Sequence, residues 1–217
     1  MKMLLVFLTT ILLISFSLQK TIEEYLNFKP EFNYLETSLD HCITKPFYHG
    51  ACDSCSWAII AASIFSDRMC IKTKGSIKKQ MSPYHIMKNS LKGMSCKTCN
   101  SINAWQNILS VGITTNECCP FISDSVMFPS CVKSDKCILP HILNEKFVIS
   151  SAKTIKKNRH AAMIEIETNG PIQSDMELYE DLLQYKKDSI YSYKYGNFLG
   201  IISVKVNKLN YFFKFRL

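Results

Sequence analysis

The chain has 217 residues, 47% of them hydrophobic and 20% charged, enough apolar material for one substantial core, which excludes a disordered or fibrous polymer. Its net charge of +8 comes from scattered lysines, among them Lys72, Lys74, Lys78, Lys79, Lys156 and Lys157, with no stripe of arginine interleaved with aromatics. Such a surface is basic and solvated, and no nucleic-acid partner is expected. The seven glycines are isolated and no repeat or linker breaks the chain, so a single domain is expected.

Met1-Lys2, the apolar run Met3–Ile14 and Ser15-Phe16-Ser17 have the charged start, hydrophobic middle and small-x-small end of a secretory leader, with cleavage expected after Ser17. The run is short for a membrane span, so no stable span is expected once residues 1–17 are removed. The destination read from this is the secretory route, outside the cell or in a lumen such as a lysosome-like vacuole. Ten cysteines, an even count, in a chain on that route read as disulfides.

Gln19–Gly50 is irregular. Trp57–Met69 is apolar almost throughout and predicts a buried helix, with Ser56 as its N-cap. Ser82-Pro83 opens a second helix running through Lys88, and Ser101–Ser110 a third that stops near Gly112. Cys118–Cys137 is a cysteine-bearing loop. Phe147–Ser151 reads as a strand, and His160–Thr168 as a helix ending at Asn169-Gly170-Pro171. Val204 and Val206, then Tyr211, Phe213, Phe215 and Leu217, alternate with polar or basic neighbours and predict a hairpin turning at Lys208–Asn210.

The stretch from His49-Gly50-Ala51-Cys52-Asp53-Ser54-Cys55-Ser56-Trp57-Ala58 to Ser66-Asp67-Arg68-Met69-Cys70 resembles the papain-family segment Q-G-x-C-G-S-C-W-A-F, and its S-D-R ending resembles cathepsin B. Met81-Ser82-Pro83, Ser95-Cys96 through Ala104-Trp105, Asn169-Gly170-Pro171-Ile172, and Tyr179-x-Asp181-Leu182-Leu183-x-Tyr185-Lys186 with Ile190-Tyr191 resemble further papain-family motifs, in the same order. The resemblance implies an α+β, papain-like fold with a helical left lobe, an antiparallel β right lobe and a cleft between them. It assigns residues 18–29 to a short pre-domain segment without a full prosegment. Residues 30–217 become the peptidase domain, expected to be incomplete at its end.

The chemistry of that family needs a thiolate at a helix amino end, a histidine base, an orienting amide and an oxyanion donor. The resemblance places Ser56 at the nucleophile position, with Cys55 one residue early and open as an alternative. His49 takes the oxyanion position. Ile202 takes the place of the base histidine and cannot accept a proton, and Arg216 or nothing takes that of the asparagine. The glycine pair expected after Cys96 is Thr98-Cys99, and Cys119–Cys137 lacks the paired histidines that would support dipeptide trimming.

These departures imply a catalytically inactive pseudopeptidase with a binding or structural role, for which a peptide or protein is the ligand class to expect, similar to serine-substituted matrix relatives of cathepsin B. An active endopeptidase using Cys55 is the alternative. No cofactor and no oligomeric state is indicated.

The resemblance implies disulfides Cys42 with Cys70 and Cys52 with Cys96, after which Cys55 and Cys99 would face each other, leaving Cys118, Cys119, Cys131 and Cys137 to pair within their loop. A structural zinc on the two Cys-x-x-Cys pairs is the competing reading. About 40 residues between the pairs exceeds the usual zinc spacing, and no metal is expected.

Overall fold

The computed structural model describes residues 14–15, 32–45, 55–90, 100–121, 136–155, 158–185, 191 and 195–209. The chain divides into two units, 1–31 and 32–217, and all that follows concerns the second. Within it lie helices α1 (Ser56–Lys72), α2 (Pro83–Ser90), α3 (Ser101–Val111) and α4 (Arg159–Asn169) and strands β1 (Phe32–Asn33), β2 (Ile172–Tyr179), β3 (Phe198–Val206) and β4 (Lys208–Leu209).

Helix α1 is the axis of the core. Trp57, Ala58, Ile59, Ala61, Ala62, Ile64 and Phe65 are all buried, so it is covered on several sides at once, as its unbroken apolar run requires. α2 and α3 pack on it with Met81, Tyr84, Ile86, Met87, Ala104 and Ile108. Local chemistry sets the helix ends. The side chain of Asn100 accepts from the Asn103 N–H in a reciprocal capping box, and Gly112 closes α3 at φ 81°. Asn158 caps α4 by accepting from the N–H groups of His160 and Ala161, and Gly170 closes it at φ 105°.

Strands β2 and β3 pair antiparallel from Ile172 opposite Val206 to Tyr179 opposite Phe198, with one irregularity beside Leu178. β1 pairs with β4. Arg68, near the carboxyl end of α1, ties the α4–β2 corner to that helix. Its Nε donates to the Pro171 carbonyl at 2.8 Å, Nη2 to the Gly170 carbonyl at 3.2 Å and Nη1 to Glu165 at 2.9 Å.

Four expectations are corrected here. Ser56 is the first helical residue and not the cap; Cys55 holds the cap position, without a side-chain hydrogen bond that caps the helix. Ser56 has a non-local partner, described below, that takes its hydroxyl. The strand expected at Phe147–Ser151 shrinks to one bridge between Phe147 and Ile113, because Val148 projects into solvent and finds no partner. Lys208 and Leu209 are strand residues paired with Asn33 and Phe32, not a turn. Part of the irregular Gln19–Gly50 stretch is also ordered, as β1 and 3-10 turns at Tyr34–Glu36 and Asp40–Cys42. Residues 211–217, the expected second arm of the hairpin, lie outside the described residues, as does most of 1–17. Among the described residues no helix is long and apolar enough to cross a membrane.

Candidate active site and its polar network

The amino end of α1 faces the β2–β3 pair, and Ser56 makes the junction. Its Oγ accepts the backbone N–H of Ser203 at 3.2 Å, which gives that strand N–H a partner outside its own sheet. Ile202 stands one residue earlier, opposite Met176. Because side chains alternate across a strand, it points to the face opposite that of Ser203.

A chain of polar side chains continues from Ser203. Oδ1 of Asp175 accepts from the Ser203 hydroxyl at 2.7 Å and from the Ser101 hydroxyl at 2.5 Å. Gln173 Nε2 donates to Ser101 Oγ at 3.1 Å and to the Trp57 carbonyl at 3.0 Å, while its Oε1 accepts from Trp105 Nε1 at 2.8 Å. Each hydroxyl proton is thereby committed to Asp175, so the 3.0 Å approach of Ser101 Oγ to Ser203 Oγ carries no proton of its own. The sheet is thus fastened to α1 and α3 by residues that all have assigned roles as donors or acceptors.

Further along the same strand, Lys205 Nζ shares its three N–H donors among the Thr44 carbonyl (2.9 Å), Thr44 Oγ1 (2.8 Å), Ser63 Oγ (2.9 Å) and Asp67 Oδ2 (2.9 Å). Asp67 is wholly buried. Burial pushes its carboxyl above the ordinary value, although Lys205 and the Thr44 N–H pull the other way. For Glu165, burial works upward too, but Lys153 and Arg68 outweigh it and hold the carboxyl below the ordinary value.

Cys55 is buried and disulfide-bonded, its Sγ 3.8 Å from Met87 Sδ. A disulfide sulfur has no proton, so that approach is packing and not a hydrogen bond. Cys42 and Cys70 form a disulfide, as do Cys118 and Cys137, and Cys119 is also disulfide-bonded. Among the described residues, the one group of His, Cys, Asp or Glu close enough to share a metal is His41, Cys42 and Cys70, and its thiols are spent in the first bridge. His49, Cys52, Cys96, Cys99 and Cys131 lie outside the described residues.

Sequence reasoning singled out Ser56, Cys55 and Ile202 but passed over Ser101, Gln173, Asp175 and Ser203, which make most of the bonds around Ser56. Its missing signal was β2 itself. Ile172, Met176 and Leu178 alternate with Gln173, Asp175 and Glu177, which puts Gln173 and Asp175 on one face.

Helices packed around a buried axial helix, whose amino end abuts an antiparallel sheet, define the scaffold class of thiol proteases, with Ser56 where the helix meets the strand. The chain belongs to the papain family of cysteine proteases, whose family model matches residues 33–207. It is 25% identical over 186 residues to cathepsin B-like CP2 of Giardia intestinalis, covering 86% of this chain and 59% of that protein. It is also 29% identical over 172 residues to a gut-specific cysteine proteinase of Caenorhabditis elegans, covering 71% and 52%. Among solved structures it is similar to procathepsin B S9 from Trypanosoma congolense, with a TM-score of 0.74, 26% identity, and coverage of 85% of this chain and 63% of that one. The papain-like, cathepsin-B-like fold expected from the motifs is therefore present. The chain spans less than two thirds of the length of these relatives.

Proposed function

We propose that this chain is a catalytically inactive, cathepsin-B-like member of the papain family that holds a peptide or protein ligand without cleaving it. The observation that carries this reading is the disulfide at Cys55. A sulfur bonded to sulfur is neither a thiolate nor a nucleophile, and Cys55 is the cysteine next to the amino end of α1.

Two further features support it. A serine hydroxyl attacks only when a positioned base takes its proton. What reaches Ser56 from the strand is a main-chain N–H, a donor, and the neighbouring side chains Ile202 and Ser203 supply no base, the Ser203 hydroxyl being bound to Asp175. The disulfides also fit maturation in an oxidising compartment, in keeping with a leader at residues 1–17.

The test is to incubate the purified, oxidised protein with a thiol-directed peptide epoxide and read its intact mass, alongside turnover of a fluorogenic peptide. No adduct and no turnover are expected. An epoxide adduct mapped to Cys55, with peptide cleavage, overturns the reading in favour of an active endopeptidase.

A further inference from the structure

Residues 136–146 make none of the bonds around Ser56, and their surface departs from the usual partition of apolar side chains. Ile138, Leu139 and Leu143 are 37%, 47% and 77% exposed, three large aliphatic side chains within six residues. A single exposed leucine is ordinary, whereas several together on a fixed turn mark a contact surface. This turn is fixed. The Cys118–Cys137 disulfide anchors its start, where the Ile138 N–H donates to the Cys118 carbonyl at 3.0 Å. The Ile142 N–H donates to the Leu139 carbonyl at 3.1 Å across Pro140, whose ring presets the bend. At the far end the Phe147 N–H donates to the Ile113 carbonyl at 2.8 Å.

Lysines frame the aliphatic run. Lys136 and Lys146 flank it in the chain, both exposed and without an ion pair among the described residues. The acid in this segment, Glu145, is bound by Lys79, which also lies 5.5 Å from the centre of the Phe147 ring. The local surplus is therefore positive, on a chain whose net charge is +8. An aliphatic tip with a cationic collar is complementary to an anionic lipid surface. Leucine and isoleucine side chains enter hydrocarbon, and lysines reach phosphate headgroups through their own apolar stems. A protein partner fits less well, because protein interfaces are anchored chiefly by tryptophan, tyrosine and arginine, and 136–146 holds none of these.

We propose that residues 136–146 dock this protein on an anionic lipid surface. Leu139 and Leu143 enter the boundary between headgroups and acyl chains, while Lys136 and Lys146 pair with lipid phosphates. The attachment is peripheral and not a span, and among the described residues no helix is long and apolar enough to cross a membrane. It stands apart from the reading that the chain is inactive, since it uses neither Ser56 nor Cys55.

The experiment is co-sedimentation of the full, oxidised chain with vesicles of phosphatidylcholine, alone or with about 30% phosphatidylserine. Binding about tenfold tighter or more is expected on the vesicles that contain phosphatidylserine. The affinity should fall about tenfold in the Leu139→Ser, Leu143→Ser double variant, and Lys136→Gln with Lys146→Gln should remove most of the preference for phosphatidylserine. Parent and variants share residues 1–31, so the differences between them report on the turn. Hydrogen exchange on the unmodified protein reads the same contact if a variant does not fold, because vesicles should slow exchange at the amides of 138–143. Vesicle binding undiminished in the leucine variant, or exchange that does not slow there, overturns the proposal. A parent dimer that the leucine variant dissolves, with vesicle binding intact, assigns the turn to a protein contact and overturns it too.

Discussion

Replacing Lys205 with methionine tests the buried charge that fastens β3 to α1. Methionine keeps most of the stem volume but removes the ammonium, which serves four acceptors at 2.8–2.9 Å. Asp67, wholly buried, is left with Thr44, whose N–H donates to it at 2.9 Å and whose side chain also hydrogen-bonds it. Stranding one member of a buried pair costs about 3–5 kcal/mol, a large part of the roughly 5–15 kcal/mol that holds a domain together. At about 2–4 °C per kcal/mol for a domain of this size, Tm should fall by roughly 6–20 °C in circular dichroism melts with the disulfides intact. Asp67→Asn added to Lys205→Met should recover part of the loss, because the amide carries no charge and can still accept from Thr44. The pH dependence has a definite sign. Burial already raises the Asp67 carboxyl, and without Lys205 it rises further. A carboxyl raised in the folded state contributes stability that is present below its unfolded value, about 3.9, and lost as pH rises through the folded one. The deficit of Lys205→Met should therefore be smaller at pH 5 than at pH 8. A Tm within about 2 °C of the parent, or a deficit independent of pH, would refute the assignment of Lys205 as the partner stabilising Asp67.

Arg68→Met removes the donor to the Gly170 and Pro171 carbonyls and to Glu165, and should cost about 3 kcal/mol in urea denaturation. Because the Glu165 carboxyl is held below its ordinary value, its stabilising contribution is present above about pH 4.3 and lost as pH falls through the lower folded value. The gap between parent and variant should narrow in acid. Gly112→Ala places a Cβ 2.9 Å from the Phe147 carbonyl oxygen at φ 81°, where backbone and not a movable side chain must give way. A loss of about 2 kcal/mol in thermal melts is expected, and an unchanged Tm would show that the α3 end is looser than its geometry.

The helices were legible in the sequence, because what makes them is local. The apolar run after Ser56 becomes α1 whatever packs on it, and Pro83, Gly112 and the Asn169-Gly170-Pro171 stop act through their own backbone preferences. The papain-family motifs could be read the same way, since their order along the chain survives divergence. What could not be read was any choice between a local and a distant partner. Ser56 is a good cap by residue type, yet its hydroxyl accepts from Ser203, 147 residues away. Lys208 has turn-like neighbours but pairs with Asn33. Asp175 looks like an ordinary strand-face acid until Ser101 and Ser203 converge on one of its oxygens. The sequence by itself determined the family and the helical core. Only the tertiary structure decided which atoms surround Ser56, because a hydrogen bond to a neighbour in the chain and one to a distant strand are of similar strength, and packing selects between them.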